Sequence, residues 1–114
     1  MSSPKRNTSV VVLTYNSEKH IGRCLQSVLS ESERIIEVIV VDNHSQDGTV
    51  EIVKRHKNIK LISNIRNLGF SKGVNMGIKQ AKGSKVLILN PDTTIISGSV
   101  DKLINCQTHF SAGI

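Results

Sequence analysis

The chain has 114 residues, 15 Lys and Arg against 9 Asp and Glu, a formal charge of +6, 38% hydrophobic residues and only 3% aromatics. That is the length of one domain; it is too apolar for a disordered tail, and its longest apolar runs, such as Val10–Leu13, fall far short of a membrane span. No apolar signal-peptide core follows Lys5 and Arg6, and the two cysteines, Cys24 and Cys106, form neither a disulfide framework nor a metal-ligand pattern, so a reducing, cytoplasmic setting is expected.

Apolar periodicity alternates regularly along the chain. Residues 1–8 read as a loose tail before a continuous β-branched run, Ser9–Leu13, the pattern of a strand covered on both faces. Ser17 is placed to N-cap a helix in which Ile21, Cys24, Leu25, Val28 and Leu29 recur at helical spacing. Glu37–Val41 repeats the buried-strand pattern, and Ser45–Thr49 supplies turn and cap residues before a short helix containing Val50, Ile52 and Val53. A less hydrophobic strand, Ile59–Ile62, precedes a helix over Ser71–Ala81 and a fourth buried strand, Lys85–Leu89. Val100, Leu103, Ile104 and Gln107 share one side of a last helix. This alternation predicts an α/β fold of three layers, α/β/α, with a mainly parallel sheet built from right-handed βαβ units over residues 9–114.

Ligands of open parallel sheets bind beyond the carboxyl ends of the strands. The polar segments after the first, second and fourth strands are Thr14–Glu18, Asp42–Gly48 and Asn90–Thr93, and three of the four aspartates, Asp42, Asp47 and Asp92, fall in them. An acceptor-only carboxylate at Asp42 suits a base or ribose, with an Asx-turn or a helix cap as the plain alternative. Asp47 precedes Gly48 and Thr49, a turn signal, and reads as structural; Thr49 is placed to cap the helix. Asp92 follows a buried strand directly, and Pro91 fixes the turn that presents it. One hard oxygen ligand that leaves room for waters and a diphosphate suits Mg²⁺ or Mn²⁺.

Between them lies Asn67-Leu68-Gly69-Phe70-Ser71-Lys72-Gly73-Val74-Asn75-Met76-Gly77. Glycines at 69, 73 and 77 repeat every fourth position, and each interior glycine costs about 1 kcal/mol relative to alanine. The bare face either packs tightly on the sheet or admits a ligand to the backbone. Neither G-x-G-x-x-G nor G-x-x-x-x-G-K-[ST] occurs, which removes the main support for nicotinamide dinucleotide and P-loop readings. The cations at 54–60, Arg66, Lys72, Lys79, Lys82 and Lys85 suit phosphorylated small molecules, anionic lipid or nucleic acid. With Tyr15, Phe70 and Phe110 as the only aromatics, no stacking series supports a nucleic-acid partner, and 54–60 reads more simply as a helix C-terminus.

The ordered set Val10–Glu18 (VVVLTYNSE), Val38–Thr49 (VIVVDNHSQDGT), Asn67–Gly77 (NLGFSKGVNMG), Ala81–Gly83 (AKG) and Val86–Thr93 (VLILNPDT) closely resembles the nucleotide-sugar-binding half of family 2 inverting glycosyltransferases. These have the GT-A fold, and NLGFxxGxN with LNPDT looks most like the rhamnosyltransferase-type subgroup. The resemblance implies a Rossmann-like nucleotide-binding half. In it Thr14, Tyr15, Asn16 and Glu18 border the nucleoside and Asp42 hydrogen-bonds a pyrimidine base. Asn67, Gly69, Lys72 and Asn75 line the nucleotide and diphosphate. Asn90-Pro91-Asp92 occupies the D-x-D position, with Asn90 where the pattern has a carboxylate and Asp92 as the main protein ligand to Mg²⁺ or Mn²⁺.

The implied reaction is inverting transfer of a sugar from a UDP- or dTDP-linked donor to a glycan or lipid-linked acceptor, in cell-surface polysaccharide biosynthesis. The acceptor's base lies well downstream of D-x-D in this family, and neither Asp101 nor any other residue after Asp92 matches it. The chain is therefore expected to be a donor-binding half, weak or inactive alone. The alternative is a non-catalytic module that binds nucleotide or a partner protein. Peripheral association with an anionic membrane and self-association through the unjoined sheet are further expectations.

Overall fold

The computed structural model describes residues 7–31 and 33–94. The helix expected over 100–107, Asp101 and most of the expected N-terminal tail lie outside them. The described elements are β1 (Thr8–Thr14), α1 (Glu18–Leu29), β2 (Ile35–Asp42), α2 (Thr49–Lys54), β3 (Ile59–Ser63), α3 (Phe70–Gln80) and β4 (Lys85–Leu89). Every strand and helix expected within the described residues is present, with ends shifted by one or two residues. Only Lys54 of the basic run 54–60 belongs to a helix; Lys60 lies on β3.

All pairings are parallel and the strand order is β3-β2-β1-β4. The chain steps outward twice from β1 and then returns past it to β4. A right-handed crossover made in the reverse direction places its helix on the opposite face. Accordingly, α1 and α2 pack on one face, where Ile21, Leu25, Val28 and Val53 meet Val10, Val12, Val38 and Val40. The other face, with Val11, Leu13, Ile39 and Val41, carries α3. Both faces of β1 and β2 are thus covered, which is why their sequences are continuous apolar runs rather than alternating ones.

The glycine stripe of α3 belongs to this packing. A Cβ on Gly73 would lie 2.4 Å from Leu13 Cδ1, and one on Gly77 would lie 2.5 Å from Val11 Cγ1. Of the two sequence alternatives, close packing holds for these glycines. Gly69 differs: nothing lies within 4 Å of its Cβ position, but its φ of +88° is one that glycine adopts and other residues resist.

Candidate functional site

Reversal of direction puts a topological switch point between β1 and β4, where sheets of this kind bind ligands beyond their carboxyl ends. β1 lies between β2 and β4, so the segments after these three strands come together at one edge.

The loops after β1 and β2 are fastened to each other by side chains. Asp42, 1% exposed, accepts hydrogen bonds at Oδ1 from Thr14 Oγ1 (2.7 Å) and Ser45 Oγ (2.6 Å), and at Oδ2 from Ser45 N (2.8 Å). The plain Asx-type role is therefore present, and three acceptor positions of the carboxylate are occupied. Asn16 sits in the left-handed region (φ 49°), which asparagine tolerates, so its backbone N–H reaches Ser45 Oγ (2.8 Å) and its Oδ1 receives Gln46 N (2.8 Å). Glu18 Oε1 accepts Gly48 N (2.7 Å). Tyr15, 51% exposed, projects from the same turn.

Neither expected cap works through its side chain on its own helix. Ser17 occupies the N-cap of α1, yet its hydroxyl turns back to Tyr15 O (3.3 Å), and the Glu18 N–H is taken by Asp47 Oδ2 (3.2 Å). Thr49 is the first residue of α2 rather than its cap; its hydroxyl receives Ser17 N (2.8 Å) and donates to Asp47 Oδ1 (2.5 Å). Asp47 thereby serves both helices, a structural role that extends beyond the turn expected of it. Desolvation pushes its pKa up, but hydrogen bonds from the Thr49 hydroxyl and the Thr49 and Glu18 N–H groups hold it below the usual carboxylate value.

Asn43, which sequence reasoning does not single out, is 2% exposed. Its Nδ2 donates to Gly69 O (3.1 Å), and its Oδ1 accepts from Asn64 Nδ2 (2.9 Å) and Leu68 N (3.3 Å). It fixes the 64–69 loop, and with it Asn67 and Gly69, against the end of β2. Within that loop Asn67 Oδ1 accepts Gly69 N (2.8 Å). The available signal was an amide directly after a buried strand, where a polar group must find partners.

After β4, Thr93 N donates to Asn90 O (3.0 Å), closing the turn expected from Pro91 and leaving both Asn90 and Asp92 exposed. Behind it, Cys24 Sγ donates to Asn90 O (3.8 Å); burial first, then the charge of Asp92, pushes this thiol up to about 11, so it is a neutral donor. The Asp92 carboxylate has no hydrogen-bond partner among the described residues. No group of three or more His, Cys, Asp or Glu that could hold a metal occurs among them. One hard, exposed oxygen donor fits Mg²⁺ or Mn²⁺ that arrives with phosphate oxygens and waters, not a cage built by the protein.

Lys72 and Asn75 stand apart from these networks. They are exposed on α3 and line an open groove of about 560 Å³ with Leu68, Met76, Ile78 and Lys79. Among the described residues no hydrogen bond joins them to Asp42 or Asp92; next to Lys72, a Cβ on Gly73 would lie 3.2 Å from Asn43 Nδ2, where α3 meets the end of β2.

Known proteins resemble this chain in sequence and fold. An N-acetylglucosaminyl-diphospho-decaprenol L-rhamnosyltransferase of Mycobacterium tuberculosis is 32% identical over 113 residues, which cover 89% of this chain and 37% of that protein. The crystal structure of Staphylococcus aureus TarS 1–349 in complex with UDP matches with a TM-score of 0.75 and 33% identity, over 90% of this chain and 32% of the other. The mannosyltransferase PcManGT of Pyrobaculum calidifontis, in complex with GDP-Man and Mn²⁺, matches with a TM-score of 0.72 and 27% identity, over 82% of this chain and 30% of the other. The chain thus spans about a third of the length of these proteins. The family model described as Glycosyl transferase family 2 matches residues 9–108, and the chain belongs to that family.

Proposed function

We propose that this chain is the donor-binding part of a glycosyltransferase that transfers a sugar from a pyrimidine nucleoside diphosphate to an acceptor hydroxyl with inversion. The observation that carries the reading is the contrast at the two neighbours of β1: Asp42 is locked into a loop scaffold, while Asp92 is exposed and has no hydrogen-bond partner among the described residues across the switch point. UDP in the matching TarS structure and Mn²⁺ in the matching PcManGT structure support it.

In this reading the Thr14-Tyr15-Asn16 turn, Glu18 and Asp42 border the nucleoside. Asp42, oriented by Thr14 and Ser45, keeps an acceptor position for the base. Asn67, Gly69, Lys72 and Asn75 accompany the nucleotide and diphosphate; with its Oδ1 engaged by Gly69, Asn67 offers its amide N–H groups. Asn90 and Asp92 face the diphosphate from β4. A divalent cation bound by Asp92 and the diphosphate would offset the charge that develops on the leaving group. Asn90 in place of a carboxylate reduces the protein's charge toward that cation, so metal affinity depends on the nucleotide. The acceptor hydroxyl must lose a proton as it attacks the anomeric carbon, and no residue of this chain is assigned as its base.

Calorimetric titration with UDP and dTDP, with and without Mg²⁺ or Mn²⁺, tests the reading. Binding of at least one nucleotide, strengthened by metal, is expected. No heat of binding under any of these conditions overturns it.

A further inference from the structure

Successive side chains of a strand point to opposite faces of its sheet. At the end of β2 this alternation separates Asp42 from Asn43. Val38 and Val40 face α1 and α2, and Asp42 continues their row toward Thr14 and Ser45. Ile39 and Val41 face α3, and Asn43 continues that row toward Gly73. Asn43 is tied at both ends. Its backbone N–H donates to Thr14 O (2.9 Å) at the end of β1. Its buried side chain accepts Leu68 N at Oδ1 (3.3 Å) and donates from Nδ2 to Gly69 O (3.1 Å). One main-chain donor and one main-chain acceptor fix which way the amide faces. Asn64 Nδ2 takes a further acceptor position of Oδ1 (2.9 Å), and Asn64 N donates to Asp42 O (2.9 Å). Gly69 O also accepts Gly73 N (3.2 Å), so the Asn43 amide holds the carbonyl from which α3 begins.

We propose that Asn43 is a positioning residue for donor binding, one that holds the diphosphate segment, Asn67 to Asn75, in register with the nucleoside carboxylate Asp42. The inference rests on the donor-binding reading, which gives Asn43 no role. Asp42 and Asn43 are adjacent on one strand end, so the two halves of the donor are registered through the sheet and not through either loop. Asn43 acts through Leu68 and Gly69 and touches no donor atom itself. The amide suits this task because it alone supplies an acceptor for Leu68 N and a donor for Gly69 O from one short side chain. Truncation leaves those two main-chain groups without this partner, while the bonds of Asp42 to Thr14 and Ser45 stay in place. The loss therefore falls on the diphosphate's share of binding and spares the nucleoside's.

NMR titration of the full chain with uridine and with UDP, both without metal, tests it on the parent, Asn43→Ala and Asn43→Ser. Both variants are neutral, so neither repels a diphosphate by charge, and serine keeps a polar atom in the buried place should alanine not fold there. UDP affinity should fall about tenfold in the variants while uridine affinity stays within about twofold. Exchange of the Leu68 N–H should quicken about tenfold, with the amides of β1 and β2 as protected as in the parent. A residue that merely held the fold together would loosen all of these amides alike and weaken both ligands equally. Equal loss of uridine and UDP, unchanged UDP affinity, unchanged exchange at Leu68, or failure of both variants to fold by circular dichroism overturns this proposal alone. Absence of binding of either ligand to the parent overturns the donor-binding reading, and this proposal with it.

Discussion

The two ends of the parallel sheet handle carboxylates differently. At the amino end, Glu37 is enclosed: its Oε2 accepts Ser9 Oγ (2.6 Å) and Lys82 N (2.5 Å), and its Oε1 accepts Lys60 Nζ (2.8 Å). Gly83 beside it has no room for a Cβ, which would meet Asn7 O and Ser9 N at 2.7 Å. At the carboxyl end, Asp42 is enclosed in the same manner by Thr14 and Ser45, but Asp92, one strand past β1, has nothing to bind within the described residues. A carboxylate with three of its acceptor positions filled holds loops in place. A carboxylate left open at a switch point is available to a ligand. The pattern separates scaffold from site more sharply than charge or position does.

The largest expected effect lies at the amino end. Gly83→Ala forces a Cβ against backbone atoms that cannot rotate away, and should lower unfolding free energy by about 2–3 kcal/mol in urea titration. Survival of full stability would show that this end is looser than its packing implies. Next comes Asp42→Ala, which strands the Thr14 and Ser45 donors in a buried place and should lower stability by about 1–3 kcal/mol while also weakening metal-free nucleotide binding.

Glu37→Gln should produce a smaller loss, because its ion-pair partner Lys60 is 46% exposed and screened by solvent. This effect has a pH signature. Desolvation pushes the Glu37 pKa up, but hydrogen bonds from Lys60, Ser9 and the Lys82 N–H, with the Lys60 charge, hold it below its ordinary 4.5. A depressed folded-state pKa stabilises the fold above the unfolded value and ceases to do so as pH falls through the folded one. The gap between parent and Glu37→Gln should therefore be full at neutral pH and close below pH 4.5. A gap that widened in acid would contradict the assignment. The smallest effect on stability belongs to Asp92→Ala, expected within about 0.5 kcal/mol of the parent because an exposed carboxylate with no partner among the described residues is removed.

Much of this was legible in the residues themselves. Val10–Leu13 and Val38–Val41 announce doubly covered strands, the glycine period offers close packing of α3 as one of two alternatives, and Asp92 stands exposed in the turn expected from Pro91. The cross-loop fastenings were not legible. Asp47 bonds to Glu18 and Thr49 to Ser17 across 29 and 32 residues, respectively, and these pairs meet only because β1 and β2 are neighbours in the sheet. Local cap rules consequently assign Ser17 and Thr49 the wrong partners. Asn43 and Asn64 escaped notice because neither belongs to a periodic pattern, although together they position the loop that carries Asn67 and Gly69. Lys72 and Asn75 share a segment with those residues, yet the helix turns them toward the outer groove.

The most direct test compares the metal-dependent gain in UDP affinity between the parent chain and Asp92→Ala. The account predicts that Mg²⁺ or Mn²⁺ strengthens UDP binding by the parent, and that Asp92→Ala abolishes this gain while leaving the metal-free affinity unchanged. An equal metal gain in both proteins, or loss of metal-free binding in Asp92→Ala, would contradict the role given to the open carboxylate.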